Sequence, residues 1–125
     1  MNLRQKRVSR EIFETLTKVL YGEVRDPMLL KIRFTAVQVT KDLQIAKVYF
    51  ELREQSTFTS DHSSITANQD DIQHRLEGCA SFFRSHLSRN IRLRRIPIIK
   101  FYHDQSQERG SHIEKLLLSI SNSAT

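Results

Sequence analysis

At 125 residues, with a formal net charge of +6, a pI near 9.8 and 38% hydrophobic residues, the chain holds one domain's worth of basic sequence. Its longest apolar runs, such as Leu116-Leu117-Leu118, fall far short of the roughly 20 residues that cross a bilayer. A lone cysteine, Cys79, excludes an intrachain disulfide, and the charged start Met1–Arg7 leads into no apolar segment, so a cytoplasmic setting is expected.

Val8, Ile12, Leu16 and Leu20 recur every four residues, joined by Phe13 and Val19, and predict an amphipathic helix. Gly22 follows the last apolar position and is expected to end the helix in a left-handed conformation. Asp26-Pro27 forbids continuation. From Ile32 the period changes to two. Ile32 and Phe34 lie out of phase with Val37 and Val39, which predicts a bulge near Thr35-Ala36. A turn at Lys41-Asp42-Leu43 leads to a second strand with Ala46, Val48, Phe50 and Leu52 on one face.

Arg53 to Ser64 is polar and aperiodic, and reads as a loop. Thr66 with Gln69 resembles a capping box. Ile72, Leu76, Cys79, Ala80, Phe83, Leu87 and Ile91 then follow helical spacing around an internal Gly78. A straight helix of that length, about 30 Å, overshoots a sheet of short strands about 20 Å long. A bend is therefore expected at the small residues Gly78, Cys79, Ala80 and Ser81. Pro97 opens a third strand, Ile98 to His103, and a final helix from Ser111 to Ile120 closes the pattern. Helices covering one face of a three-stranded sheet make a two-layer α+β domain.

The charge is unevenly spread. Arg84, Arg89, Arg92, Arg94, Arg95 and Lys100 fall within seventeen residues that hold no acid, and the remainder of the chain is charge-balanced. The first helix adds Arg4, Lys6, Arg7 and Arg10. Such a field suits a polyanion, and arginine forks suit phosphate. If the two clusters converge, they form a groove for an RNA backbone read by shape and charge. The competing reading is an adaptor that docks a protein partner, its basic residues merely solvated.

Catalytic chemistry is not visible. His62, His74, His86, His103 and His112 fall in no metal-ligand spacing, and Cys79 has no second cysteine to share a zinc site. Cys79 lies in the apolar register, Asp70 and Asp71 suit a helix's first turns, and no phosphate-cradling glycine loop is present. A non-enzyme without metal or cofactor is expected.

Several segments occur together in a recognisable order. They are Asp26-Pro27-Met28-Leu29, Thr35 to Leu43, Ala46-Lys47-Val48-Tyr49, Phe82 to Leu87, Ile91 to Pro97, and Phe101 to Ser106. This set resembles the ribosome-binding factor A family of bacteria. The resemblance implies a type II KH-like fold, ordered α-β-β-α-kink-α-β-α, over residues 1–120 with a short tail at 121–125. It further implies a monomeric, non-enzymatic factor that binds the rRNA of the small ribosomal subunit late in maturation and matters for growth in the cold. The family has an Ala-x-Gly kink where this chain has Cys79-Ala80-Ser81, preceded by Gly78.

Overall fold

A computed structural model describes residues 2–53 and 62–104, with side chains from residue 69 onward in the second stretch. The elements are α1 (Leu3–Gly22), a 3₁₀ turn (Leu29–Lys31), β1 (Ile32–Val39), β2 (Ile45–Leu52), α2 (His62–Gly78), α3 (Ala80–Asn90) and β3 (Ile98–His103). β2 lies at the centre of a mixed sheet, antiparallel to β1 and parallel to β3. This is the expected α+β arrangement. The final helix expected from Ser111 lies outside the described residues, as does the loop after Arg53 up to Asp61.

The α1 stripe Val8, Ile12, Leu16, Val19 and Leu20 is buried, as its spacing requires. It packs with Ile72 and Leu76 of α2, Phe83 and Leu87 of α3, and the inner sheet residues Val37, Val39, Ala46, Val48, Phe50, Ile99 and Phe101. Each fully buried large apolar side chain contributes about 1.5–3 kcal/mol. Phe34 sits among Phe83 and Phe101 at ring separations of 5.9 and 6.2 Å. The register shift falls between Phe34 and Ala36, where the phase change in the sequence located it.

Two local readings are corrected. Gly22 is not left-handed: α1 ends when the Val19 carbonyl accepts from both Glu23 N–H (2.8 Å) and Val24 N–H (3.1 Å), with Glu23 still right-handed. A Cβ on Gly22 would meet nothing within 4 Å. Thr66 is no N-cap, because α2 already begins at His62, which also takes His62–Ser64 out of the predicted loop.

The 3₁₀ turn is tied to α2 by one residue. Asp26 Oδ1 accepts from Met28 N–H (3.0 Å), and the Arg75 guanidinium donates to both carboxylate oxygens (3.0 and 2.8 Å). Arg75 also reaches Asp71 at 3.1 Å.

Between α2 and α3 stands Cys79 alone, at φ −96° and ψ 2°. Its N–H is shared between the Arg75 and Leu76 carbonyls (3.1 and 3.0 Å). That ψ departs from the helical value by about 40°, which turns the chain. The cause is packing, since half-buried Cys79 and Ala80 face the core whereas Gly78 is exposed. Burial, with a lesser push from Asp26, raises the Cys79 thiol pKa and keeps it protonated. Gly78 has no positive φ, and a Cβ there would touch nothing within 4 Å.

Two consequences are measurable. Gly78→Ala should stabilise the protein by about 0.5–1 kcal/mol in urea melts, since alanine restricts the unfolded chain at no native cost. A loss of stability would show that the turn needs glycine. The Arg75 hydrogen bonds hold the Asp26 carboxyl below its ordinary 3.8. Its contribution is therefore complete above that value and is lost as pH falls through the lower native one. The melting-temperature gap between wild type and Asp26→Asn should stay constant from neutral pH to about pH 5 and close below pH 4. A gap independent of pH would overturn the assignment.

Candidate nucleic-acid interface

The site is built where α1 begins, the β1–β2 turn ends and α3 passes into β3. A reciprocal capping box starts α1. Asn2 Oδ1 accepts from Gln5 N–H (2.8 Å) and Gln5 Oε1 accepts from Asn2 N–H (3.2 Å). The same first turns are fixed to the edge strand. Gln5 Nε2 donates to the Val39 carbonyl (3.0 Å), and buried Ser9 Oγ accepts from the Val39 N–H (3.1 Å). Arg4 is thereby held beside the turn that follows Val39.

That turn carries Lys41 and Asp42, and Leu43 takes a left-handed φ of 60°. Thr40 Oγ1 donates to Asp42 Oδ1 (2.7 Å), and Gln44 N–H donates to the same oxygen (3.1 Å). These bonds, the hydroxyl's foremost, lower the Asp42 pKa, so the carboxylate is ionised and committed to the turn. Opposite, Arg84 of α3 donates to the Ile96 carbonyl at 3.2 Å. The α3–β3 connection alternates in character. Ile91 and Pro97 are buried, Leu93 and Ile96 pack against the core, and Arg92, Arg94 and Arg95 are exposed.

Together these segments border an open cavity of about 760 Å³. Arg4, Lys41, Arg84, Arg94 and Arg95 line it, against the single acid Asp42, over an apolar floor of Leu43, Leu93, Ile96 and Ile98. Among the described residues, none of those five basic groups is in an ion pair. Arg4 also opens onto a second concavity of about 600 Å³ with Arg7, Lys18 and Arg92, where Glu11 and Glu14 offset the charge. Arg7 and Arg10 are paired along α1, with Glu11 at 3.6 Å and Glu14 at 3.3 Å.

The structure thus brings Arg4, Arg84, Arg94 and Arg95 around one cavity, with Arg7 and Arg92 in the adjoining one. It does not bring in the rest. Lys6 and Arg10 border a separate depression of about 290 Å³ beside Phe13 and Val37. Arg89 lines none of the three and donates to the Ser85 carbonyl of its own helix (3.3 Å). Gly78, Cys79, Ala80 and Ser81 line none either. Lys41 and Lys18 escaped the sequence reading. Lys41 was accessible to it, because a hairpin turn and the start of a helix packed on that hairpin can share one end of a sheet. Among the described residues, no cluster of three or more His, Cys, Asp or Glu could hold a metal, and no helix is long and apolar enough to cross a membrane.

The family model described as ribosome-binding factor A matches residues 4–117. The ribosome-binding factor A of Hydrogenovibrio crunogenus is 37% identical over 114 residues, covering 91% of this chain and 88% of that protein. The fold matches the crystal structure of ribosome-binding factor A from Thermus thermophilus with a TM-score of 0.66 at 19% identity, over 82% of this chain and 97% of that one. A homology model of the Thermus thermophilus factor, fitted into a cryo-EM map of its complex with the 30S subunit, superposes with a TM-score of 0.54 at 19% identity, over 85% and 97% of the two chains. A match to the family model along nearly the whole sequence, and a relative of that identity and coverage, make this chain a member of the ribosome-binding factor A family.

Proposed function

We propose that this protein binds the RNA of the small ribosomal subunit through the basic cavity, as a non-enzymatic factor in late maturation of that subunit. One observation carries the reading: five basic side chains outside any ion pair among the described residues, from α1, the β1–β2 turn, α3 and the α3–β3 connection, line one cavity against one acid. The family membership and the fitted Thermus complex support the choice of partner. The protein acts as a cytoplasmic monomer through one KH-like RNA-binding domain, residues 1–120. Misfolded rRNA helices gain stability on cooling, which would make the factor most needed in the cold.

The mechanism is electrostatic. Each guanidinium that approaches a phosphate releases a condensed counterion, and that release drives association. Arginine forks add bidentate geometry that fixes register without reading sequence. In double-helical RNA the accessible groups are phosphates and 2′-hydroxyls, so a basic end of this kind recognises shape.

Neutralising about five or six phosphates should give a log–log salt slope of roughly −4 to −5 in filter binding to structured small-subunit RNA. A slope near zero would instead support the adaptor reading, in which the basic residues are only solvated. Arg92→Glu, Arg94→Glu and Arg95→Glu combined should strongly weaken co-sedimentation with small subunits. These side chains are exposed and, among the described residues, outside ion pairs, so the melting temperature should stay near wild type, at about 0.5 kcal/mol or less per substitution. Lys6→Glu with Arg10→Glu, outside both basic concavities, should cost much less binding. Equal losses from the two variants would count against the cavity.

A further inference from the structure

The face of the sheet turned away from the helices carries a second arrangement, one that the basic cavity does not use. In the parallel register, Tyr49 of β2 pairs with Tyr102 of β3, and Lys47 pairs with Lys100. Strand alternation puts all four on the outer face, opposite inward-facing Val48 and Phe101. The tyrosine rings lie 5.7 Å apart and are inclined by 31°. Tyr102 is 40% exposed. Among the described residues neither lysine is in an ion pair, and the acids at the far end are engaged. Arg33 holds Glu51, and the Thr35 hydroxyl donates to Asp104 at 2.6 Å.

We infer that this outer face is a binding platform for single-stranded RNA, with bases stacked on Tyr49 and Tyr102 and the adjoining phosphates on Lys47 and Lys100. Exposed Tyr102 beside half-buried Tyr49 gives this face an aromatic surface on which a flat base can stack. The rings accept any base, because every base has a π-face. The lysines lie two residues away along each strand, about 6.7 Å, within reach of the backbone of a stacked nucleotide. Their charge selects a polyanion over an apolar partner. The track is also continuous with the basic cavity. Ile98 lines that cavity, is 55% exposed, and is followed outward along β3 by Lys100 and Tyr102.

The test uses the full chain and two labelled probes of equal length, a short oligouridine and an abasic strand carrying the same phosphates. Wild type should bind oligouridine at least about fivefold tighter than the abasic strand, given the usual strength of base–aromatic stacking. Tyr49→Thr with Tyr102→Thr should bring that ratio close to one while leaving affinity for the abasic strand unchanged. Tyr49→Phe with Tyr102→Phe keeps the rings and should keep the ratio, which guards against loss of fold as an explanation. Arg94→Glu with Arg95→Glu should weaken both probes and preserve the ratio, so failure of the cavity reading and failure of this one are distinguishable. A wild-type ratio near one, or a ratio that survives the threonine substitutions, overturns the platform. So does a dimer in sedimentation velocity that the threonine substitutions abolish, since the face would then belong to a second copy of the chain.

Discussion

Two hydrogen bonds at Val39 decide where the basic end of the molecule lies. β1 is an edge strand, and an edge presents backbone groups with no neighbouring strand to pair them. At Val39 both groups are taken by α1: the carbonyl accepts from Gln5 and the N–H donates to Ser9. The Ser9 bond is buried, and an unsatisfied buried N–H costs about 1–3 kcal/mol, so the docking of α1 has little freedom. Gln5 serves twice, because the same side chain closes the capping box that begins the helix. Helix start, strand edge and hairpin turn are thereby locked at one corner, and Arg4 is delivered to that corner beside Lys41.

The other side of the cavity is held in an equally economical way. In the α3–β3 connection, apolar residues go to the core and arginines to solvent, so the segment is anchored without using its charges. Arg84 does both jobs, bonding the Ile96 carbonyl while it faces the cavity. Gathering five cations around one cavity opposes folding through mutual repulsion. At physiological ionic strength the Debye length is only about 8 Å, so salt screens much of that repulsion in the free protein. A phosphate backbone placed in the cavity would remove the remainder. The repulsion would therefore favour a polyanion-bound state over the free one, and the effect would weaken as salt rises.

Periodicity made the hydrophobic architecture legible. Four-residue spacing marked α1, alternation marked the strands, and the phase slip between Phe34 and Val37 marked the bulge. Features that depend on long-range packing were less legible. Gly22 looks like a left-handed cap, but shared bonds to the Val19 carbonyl end α1 without one. Gly78 looks like the residue that permits the turn between α2 and α3. It is Cys79, drawn toward the core, that leaves helical geometry. Capping motifs are local rules, and Thr66-x-x-Gln69 satisfied the rule in the interior of a helix that begins at His62. At the basic cavity, charge clustering along the sequence pointed to Arg84, Arg94, Arg95 and Arg4, which the fold places around it. It could not separate Lys6 and Arg10 from Arg4 and Arg7, because a helix distributes neighbouring residues around its circumference, and only tertiary packing says which side meets the hairpin.

The division of labour between surfaces follows from these constraints. The inner sheet face and the apolar stripes of α1, α2 and α3 are consumed by the core. Among the described residues, the basic end and the outer sheet face are left to solvent, and both are open rather than enclosing. A deep pocket with convergent polar groups suits a small molecule held tightly. Exposed arginines around an open cavity suit a large polyanion held by many individually modest contacts. Such binding adds up over several phosphates, yet it can be released stepwise as the RNA surface changes shape, because no single contact carries most of the affinity. Reversible binding of a large polyanion is served better by many modest contacts of that kind than by one tight one.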